Sequence, residues 1–151
     1  MKNVKRRLVS FLLVSLTVLS LFLFSSCIPV DSGKATVEEF YTALGNDDFE
    51  KAATFIHPVK NTDTEELRRS IATLEDMHDI DFSDGIEFLQ TLGVNTSSFL
   101  NIPKGVTKTL NLTYLISISK KEFTLYVEIV EDPDGYGITS FTLESEDSSV
   151  V

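Results

Sequence analysis

One cysteine, no tryptophan and two histidines stand in a chain of 151 residues. The single cysteine, Cys27, excludes an internal disulfide and any zinc site built on several thiolates. His57 and His78 fall in separate segments, so a zinc site would need them to converge with carboxylates, and no metal or other cofactor is implied. No Gly-rich phosphate loop, Gly-x-Ser-x-Gly elbow or His-Glu-x-x-His helix occurs. Positive charge is scarce as well, with 13 Lys and Arg against 23 Asp and Glu. A chain of that sign repels phosphate backbones, which excludes nucleic acid as a partner.

Four of the cations, Lys2, Lys5, Arg6 and Arg7, crowd the first seven residues and precede an apolar run from Leu8 to Phe24. These are the charged and apolar regions of a secretory signal. The run stops at Phe24-Ser25-Ser26-Cys27, which resembles a bacterial lipobox with Phe24 where Leu is usual. The expectation is a signal peptide over 1–26, cleavage before Cys27, and lipidation of Cys27 as the membrane attachment. The alternative is an uncleaved anchor with a free thiol, for which the apolar run falls slightly short of the roughly 20 residues that span a bilayer. Without the four signal cations, nine Lys and Arg face 23 Asp and Glu, a formal charge of −14. Membrane attachment then depends on lipid and not on a basic patch. The implied location is the extracytoplasmic side of a cell membrane or outer membrane.

Residues 27–35, with Pro29 and Gly33, show no periodicity and read as a lipidated cysteine and a tether of at most about 28 Å. A single domain is expected over 36–145, with a frayed acidic tail over 146–151. Thr36 and Glu39 have the spacing of a capping box, and Val37, Phe40, Tyr41 and Leu44 form one helical face ending at Gly45. Asp47 or Asp48 caps a second helix with Phe49, Ala52, Ala53 and Ile56 inward, stopped by His57-Pro58. A third starts near Thr62, with Leu67, Ile71, Leu74 and either Met77 or His78 inward. The spacing of Ile86, Leu89 and Leu92 predicts a fourth helix over 83–92, and residues 95–105 read as an irregular connection or a short strand around Phe99.

Beyond that point the period changes to two. Leu110, Leu112, Tyr114, Ile116 and Ile118 alternate with polar residues, as do Phe123, Leu125, Val127 and Ile129. Turns are expected at Ser119-Lys120-Lys121-Glu122 and Asp132-Pro133-Asp134-Gly135, and a third strand over 136–144. Helices followed by an antiparallel meander make an α+β domain, N-terminal helices packed on the apolar face of the sheet.

The stretch ATVEEFYTALGNDDFEKAATFIHP, residues 35–58, resembles the opening helical hairpin of the nuclear-transport-factor-like (cystatin-like) superfamily. Small exported bacterial lipoproteins of that superfamily are similar in layout. The resemblance implies a cone of helices against a curved antiparallel sheet that can wrap a pocket, and it implies no particular reaction.

Six carboxylates between Glu75 and Glu87 form the densest charge cluster. A calcium loop beginning at Asp79 fails, because Asp84 occupies the glycine position and Gln90 that of the bidentate Glu. Capping and a solvated face account for the cluster. The candidate pocket residues are Tyr41, Tyr114 and His57, and no catalytic set can be assembled around them. The first expectation is therefore a non-catalytic binding or interaction domain at the cell envelope. The alternative is a small-molecule-binding protein or isomerase/dehydratase-like enzyme using the pocket of the fold.

Overall fold

The computed structural model describes residues 27–101 and 104–145, so the expected signal peptide and acidic tail lie outside the described residues. Helix α1, Val30–Gly45, is followed by α2, Phe49–Ala53, and α3, Thr64–His78, with single 3-10 turns at Pro58–Lys60 and Phe82–Asp84. Four strands then run in succession: β1, Ile86–Asn101; β2, Gly105–Ile118; β3, Lys121–Asp132; β4, Gly135–Ser145. They pair antiparallel in sequence order as one sheet. The chain is thus an α+β domain. Among the described residues no helix is long and apolar enough to cross a membrane.

Alternation places the core. Leu110, Leu112, Tyr114 and Ile116 stand opposite Ile129, Val127, Leu125 and Phe123, so one face of the β2–β3 pair is continuous hydrocarbon. All eight are buried, together with Val37, Phe40, Tyr41 and Leu44 of α1 and Leu67 and Ile71 of α3. On the opposite face Asn111 meets Glu128 and Thr113 meets Tyr126, the polar side of the same alternation. A register shift in β4 between the partners of Glu128 and Ile129 lets both Ile138 and Phe141 face the helices.

Local chemistry explains the helix ends. Asp48 Oδ1 accepts from Lys51 N at 3.0 Å and Asp63 Oδ1 from Glu66 N at 2.7 Å, so aspartates cap α2 and α3. Arg68 of α3 lies 4.6 Å over the Phe49 ring of α2 and joins the two helices. His78, not Met77, takes the inward position at the end of α3, edge-on to Phe123.

Four expectations change. The tether over 28–35 is folded: α1 begins at Val30, and Ile28 is buried at 1% exposure. Pro29 occupies the N-cap position, where its missing N–H is not needed. Gly33 lies so close to the sheet that a Cβ would collide with Leu110 Cδ2. Thr36 consequently sits inside the helix and makes no capping box; its Oγ1 bonds back to Ser32 O at 3.0 Å and meets the Tyr136 hydroxyl at 2.9 Å. The helix expected over 83–92 is a single 3-10 turn leading into β1, and residues 95–101, expected within an irregular connection or a short strand around Phe99, are the far half of that long strand.

The acidic segment folds by using its own carboxylates. Glu75 Oε1 accepts from Phe82 N at 2.9 Å, Asp81 Oδ1 from Ser83 N at 2.8 Å, and Asp84 Oδ2 from Ser119 Oγ at 2.6 Å. Asp79 Oδ2 pairs with Lys121 Nζ at 2.7 Å, and that contact holds its carboxyl below the usual range. Among the described residues no three His, Cys, Asp or Glu side chains converge as a metal site.

Candidate functional site

The three candidate residues occupy two places. Tyr41 and Tyr114 share one aromatic cluster beneath the start of β1, and His57 lies apart, at the junction of α2 with β4.

Tyr41 follows from the helical period of α1, which turns it inward beside Phe40 and Leu44. Its ring packs near Phe82, Phe88 and Phe141, at centroid distances of 6.1, 6.2 and 6.4 Å. Tyr114 arrives from the inward row of β2, and Phe88 meets it edge-on at 5.1 Å. Phe88 is thus shared by both tyrosines. Sequence reasoning missed it, because a helix over 83–92 gave it no inward position.

Both phenolic oxygens are buried, and neither has a hydrogen-bond partner among the described residues. Burial pushes the Tyr41 hydroxyl well above the ordinary phenol range. Burial first, and the Glu38 carboxylate second, push Tyr114 up to about 12. Both phenols remain protonated under ordinary conditions and can act as donors. A cleft of ≈ 360 Å³ opens beside this cluster, between the end of α1 and the approach to β1. Tyr41, Asn46, Asp84 and Phe88 are among its walls.

His57 makes contacts within the fold. Its Nδ1 accepts from Val59 N at 3.1 Å, its backbone N–H donates to Ile138 O at 2.9 Å, and Ile138 N donates to Phe55 O at 2.8 Å. These bonds join the end of α2 to β4 in a parallel bridge between Ile56 and Ile138. The buried Nε2 lies 3.2 Å from Asp132 Oδ1, although the approach is not aligned as a hydrogen bond. Asp132 Oδ1 also accepts from Asp134 N and Gly135 N, which sets the β3–β4 turn. His57 is therefore an N-cap to the Pro58–Lys60 turn and a buttress for that hairpin, not the end of a helix or a wall of the Tyr41 cleft.

Two other depressions lie among the described residues. One, of ≈ 670 Å³, lies over Gly85, Glu87, Ser117 and Lys120; another, of ≈ 220 Å³, lies between α3 and β4 near Leu67 and Phe141. Neither touches an unpartnered buried polar group.

No family model, no curated protein and no solved structure matches this chain.

Proposed function

We propose that this protein is a lipid-anchored, extracytoplasmic binding domain whose ligand site is the cleft between α1 and the start of β1. The carrying observation is the Tyr41 hydroxyl, buried without a partner in a residue that walls that cleft. A hydroxyl buried unpaired costs about 1–3 kcal/mol, and the Tyr114 hydroxyl adds a second such cost in the same cluster. A ligand oxygen accepting from Tyr41 would offset the first, which requires the cleft wall over the buried oxygen to open. The cleft, at ≈ 360 Å³, matches the lower range of small-molecule sites, and Phe88 supplies an apolar wall. The ligand class is a small, partly apolar molecule presenting a carbonyl, ether or carboxylate oxygen.

Binding without chemistry is favoured by the protonation of the phenols. A general base works best with a pKa near the working pH, and both tyrosines are pushed the other way. The alternative, an isomerase/dehydratase-like enzyme, would take Asp84 as its base, the one carboxylate among the cleft walls. Its Oδ2 already accepts from Ser119 at 2.6 Å, which favours the binding reading.

The attachment rests on Cys27. It is exposed, it follows a charged and apolar leader ending in Ser25-Ser26, and the folded domain begins at the next residue, Ile28. The order of helices before a bulged antiparallel sheet supports likeness to the cone of the nuclear-transport-factor-like superfamily, in which the proposed cleft would be the mouth of the cone.

Native mass spectrometry of the intact chain released from its own membranes tests the site. The expected result is a noncovalent small-molecule adduct that Tyr41→Phe loses. An adduct-free wild type, with Tyr41→Phe merely as stable or more so, would reduce the hydroxyl to a packing imperfection.

A further inference from the structure

The two ends of the sheet differ in chemistry. Cys27 belongs to one of them, because α1 starts there: Gly33 rests on Leu110 and Ile129, two positions from Lys108 and Glu131, where β2–β3 pairing stops. The β1–β2 hairpin closes at the same end, where Asn101 pairs with Gly105. The β3–β4 turn lies beside it, with Pro133 Cγ 2.9 Å from where a Cβ on Gly105 would stand.

This hairpin end is apolar on both sides. Phe99 is 68% exposed, Leu100 61% and Val106 43%. Phe99 and Leu100 are neighbours in a strand and point to opposite faces, so no helix on one face could cover both. Residues 88–103 contain no charged side chain, in a chain that is 24% charged. Nearby charges nearly balance. Lys108 pairs with Glu131 at 3.1 Å, and Asp31, Asp132 and Asp134 stand against Lys34 and Lys104, an excess of one negative charge.

The opposite end is acidic. Asp79 and Asp84 bond to Lys121 and Ser119 at the β2–β3 turn, bringing the Glu75–Glu87 cluster with them. Separation of charge from apolar surface along the strand axis is what a domain needs to stand on a bilayer with its anionic end away from the headgroups.

We propose that the β1–β2 hairpin end is a second membrane contact, in which Phe99, Leu100 and Val106 enter the headgroup layer of the bilayer that holds Cys27. The inference rests on the reading of Cys27 as the lipid attachment. Acyl chains on the cysteine supply affinity, at about 0.8 kcal/mol for each buried methylene. The hairpin supplies orientation: it fixes which end faces the lipid.

The absence of tryptophan gives a direct test, since Phe99→Trp introduces a single, selectively excited tryptophan at the hairpin end and Met77→Trp, at a position 66% exposed on α3, serves as the control. Each full-length lipidated variant is placed in phosphatidylcholine vesicles with or without brominated acyl chains. The expected result for Phe99→Trp is blue-shifted emission, most of which is lost in brominated vesicles, with Met77→Trp unaffected. Solvent-like, unquenched emission from vesicle-bound Phe99→Trp would overturn the hairpin contact while leaving the anchor intact. Blue-shifted but unquenched emission would overturn it in favour of a second copy or another protein covering the end, and quenching of both variants would overturn the orientation. The mass of the purified chain reads the anchor separately: an unmodified Cys27 removes the anchor reading and this inference together.

Discussion

The ring of Phe88 meets that of Tyr114 edge-on, with centroids 5.1 Å apart and planes at 78°. The same Phe88 flanks Tyr41, so one side chain of an edge strand closes the cluster that holds both unpartnered hydroxyls. That arrangement separates what the rings do from what the oxygens do.

Tyr114→Phe keeps the ring packing and removes only the oxygen. Stability below pH 10 is expected to rise, by up to about 1–3 kcal/mol, because the substitution removes the desolvation cost of a buried hydroxyl without a partner. The alkaline limb is expected to change as well. The phenol has a folded value of about 12 against an ordinary 10.0, so its neutral form stabilises the fold fully below pH 10, and that contribution is lost as pH rises through about 12. Urea midpoints measured across this window should fall less steeply for Tyr114→Phe than for wild type. Parallel slopes would place the titration elsewhere.

Gly137→Ala is expected to cost about 2–4 kcal/mol, a severe value for so small a change. The added Cβ would stand 2.6 Å from His57 N and 2.7 Å from Phe55 O, backbone atoms that also carry the bridge to Ile138. No side chain can move aside to relieve it. Gly93→Ala, where the nearest atom is the Thr113 Cβ at 3.6 Å, is the matched control and should shift the urea midpoint little.

Lys120→Gly should raise stability by about 0.5–1 kcal/mol. Ser119 and Lys120 both have positive φ, 50° and 65°, in the two-residue turn between Ile118 and Lys121. That is the geometry of a type I′ hairpin, which favours glycine. Ser119 is compensated by its bonds to Asp81 and Asp84, whereas the Lys120 side chain has no hydrogen-bond or ion-pair partner among the described residues. An unchanged thermal midpoint would mean that the turn carries no strain.

Sequence legibility followed the regularity of the period. Strands β2 and β3, with Leu110 to Ile118 and Phe123 to Ile129 in strict alternation, could be read directly, as could the inward positions of α1 and α3. Strand β1 could not, for a physical reason. Register shifts between Phe88 and Gln90 and between Thr91 and Gly93 leave Leu89 and Leu92 as extra residues, so the apolar spacing of three imitates a helix. Its far half carries no core pattern, because no helix covers it. The start of α1 was obscured by Pro29 and Gly33, which read as loop residues alone but serve an N-cap and a close helix–sheet approach. Tyr41 and Tyr114 were accessible to pattern reasoning, whereas the environment of His57 depends on a bridge to Ile138, 81 positions further along the chain.

The burial of Ile28 has a mechanical consequence. A pull applied at Cys27 meets no slack, because the next residue is already locked in the core and the helix begins two residues later. Load would pass along α1 as shear against Leu110 and Ile129, where Gly33 brings backbone and sheet together, instead of being absorbed by an extensible leash. Such a mount is stiff: tension at the cysteine is felt at Tyr41, on the same helix, before any part of the chain has uncoiled.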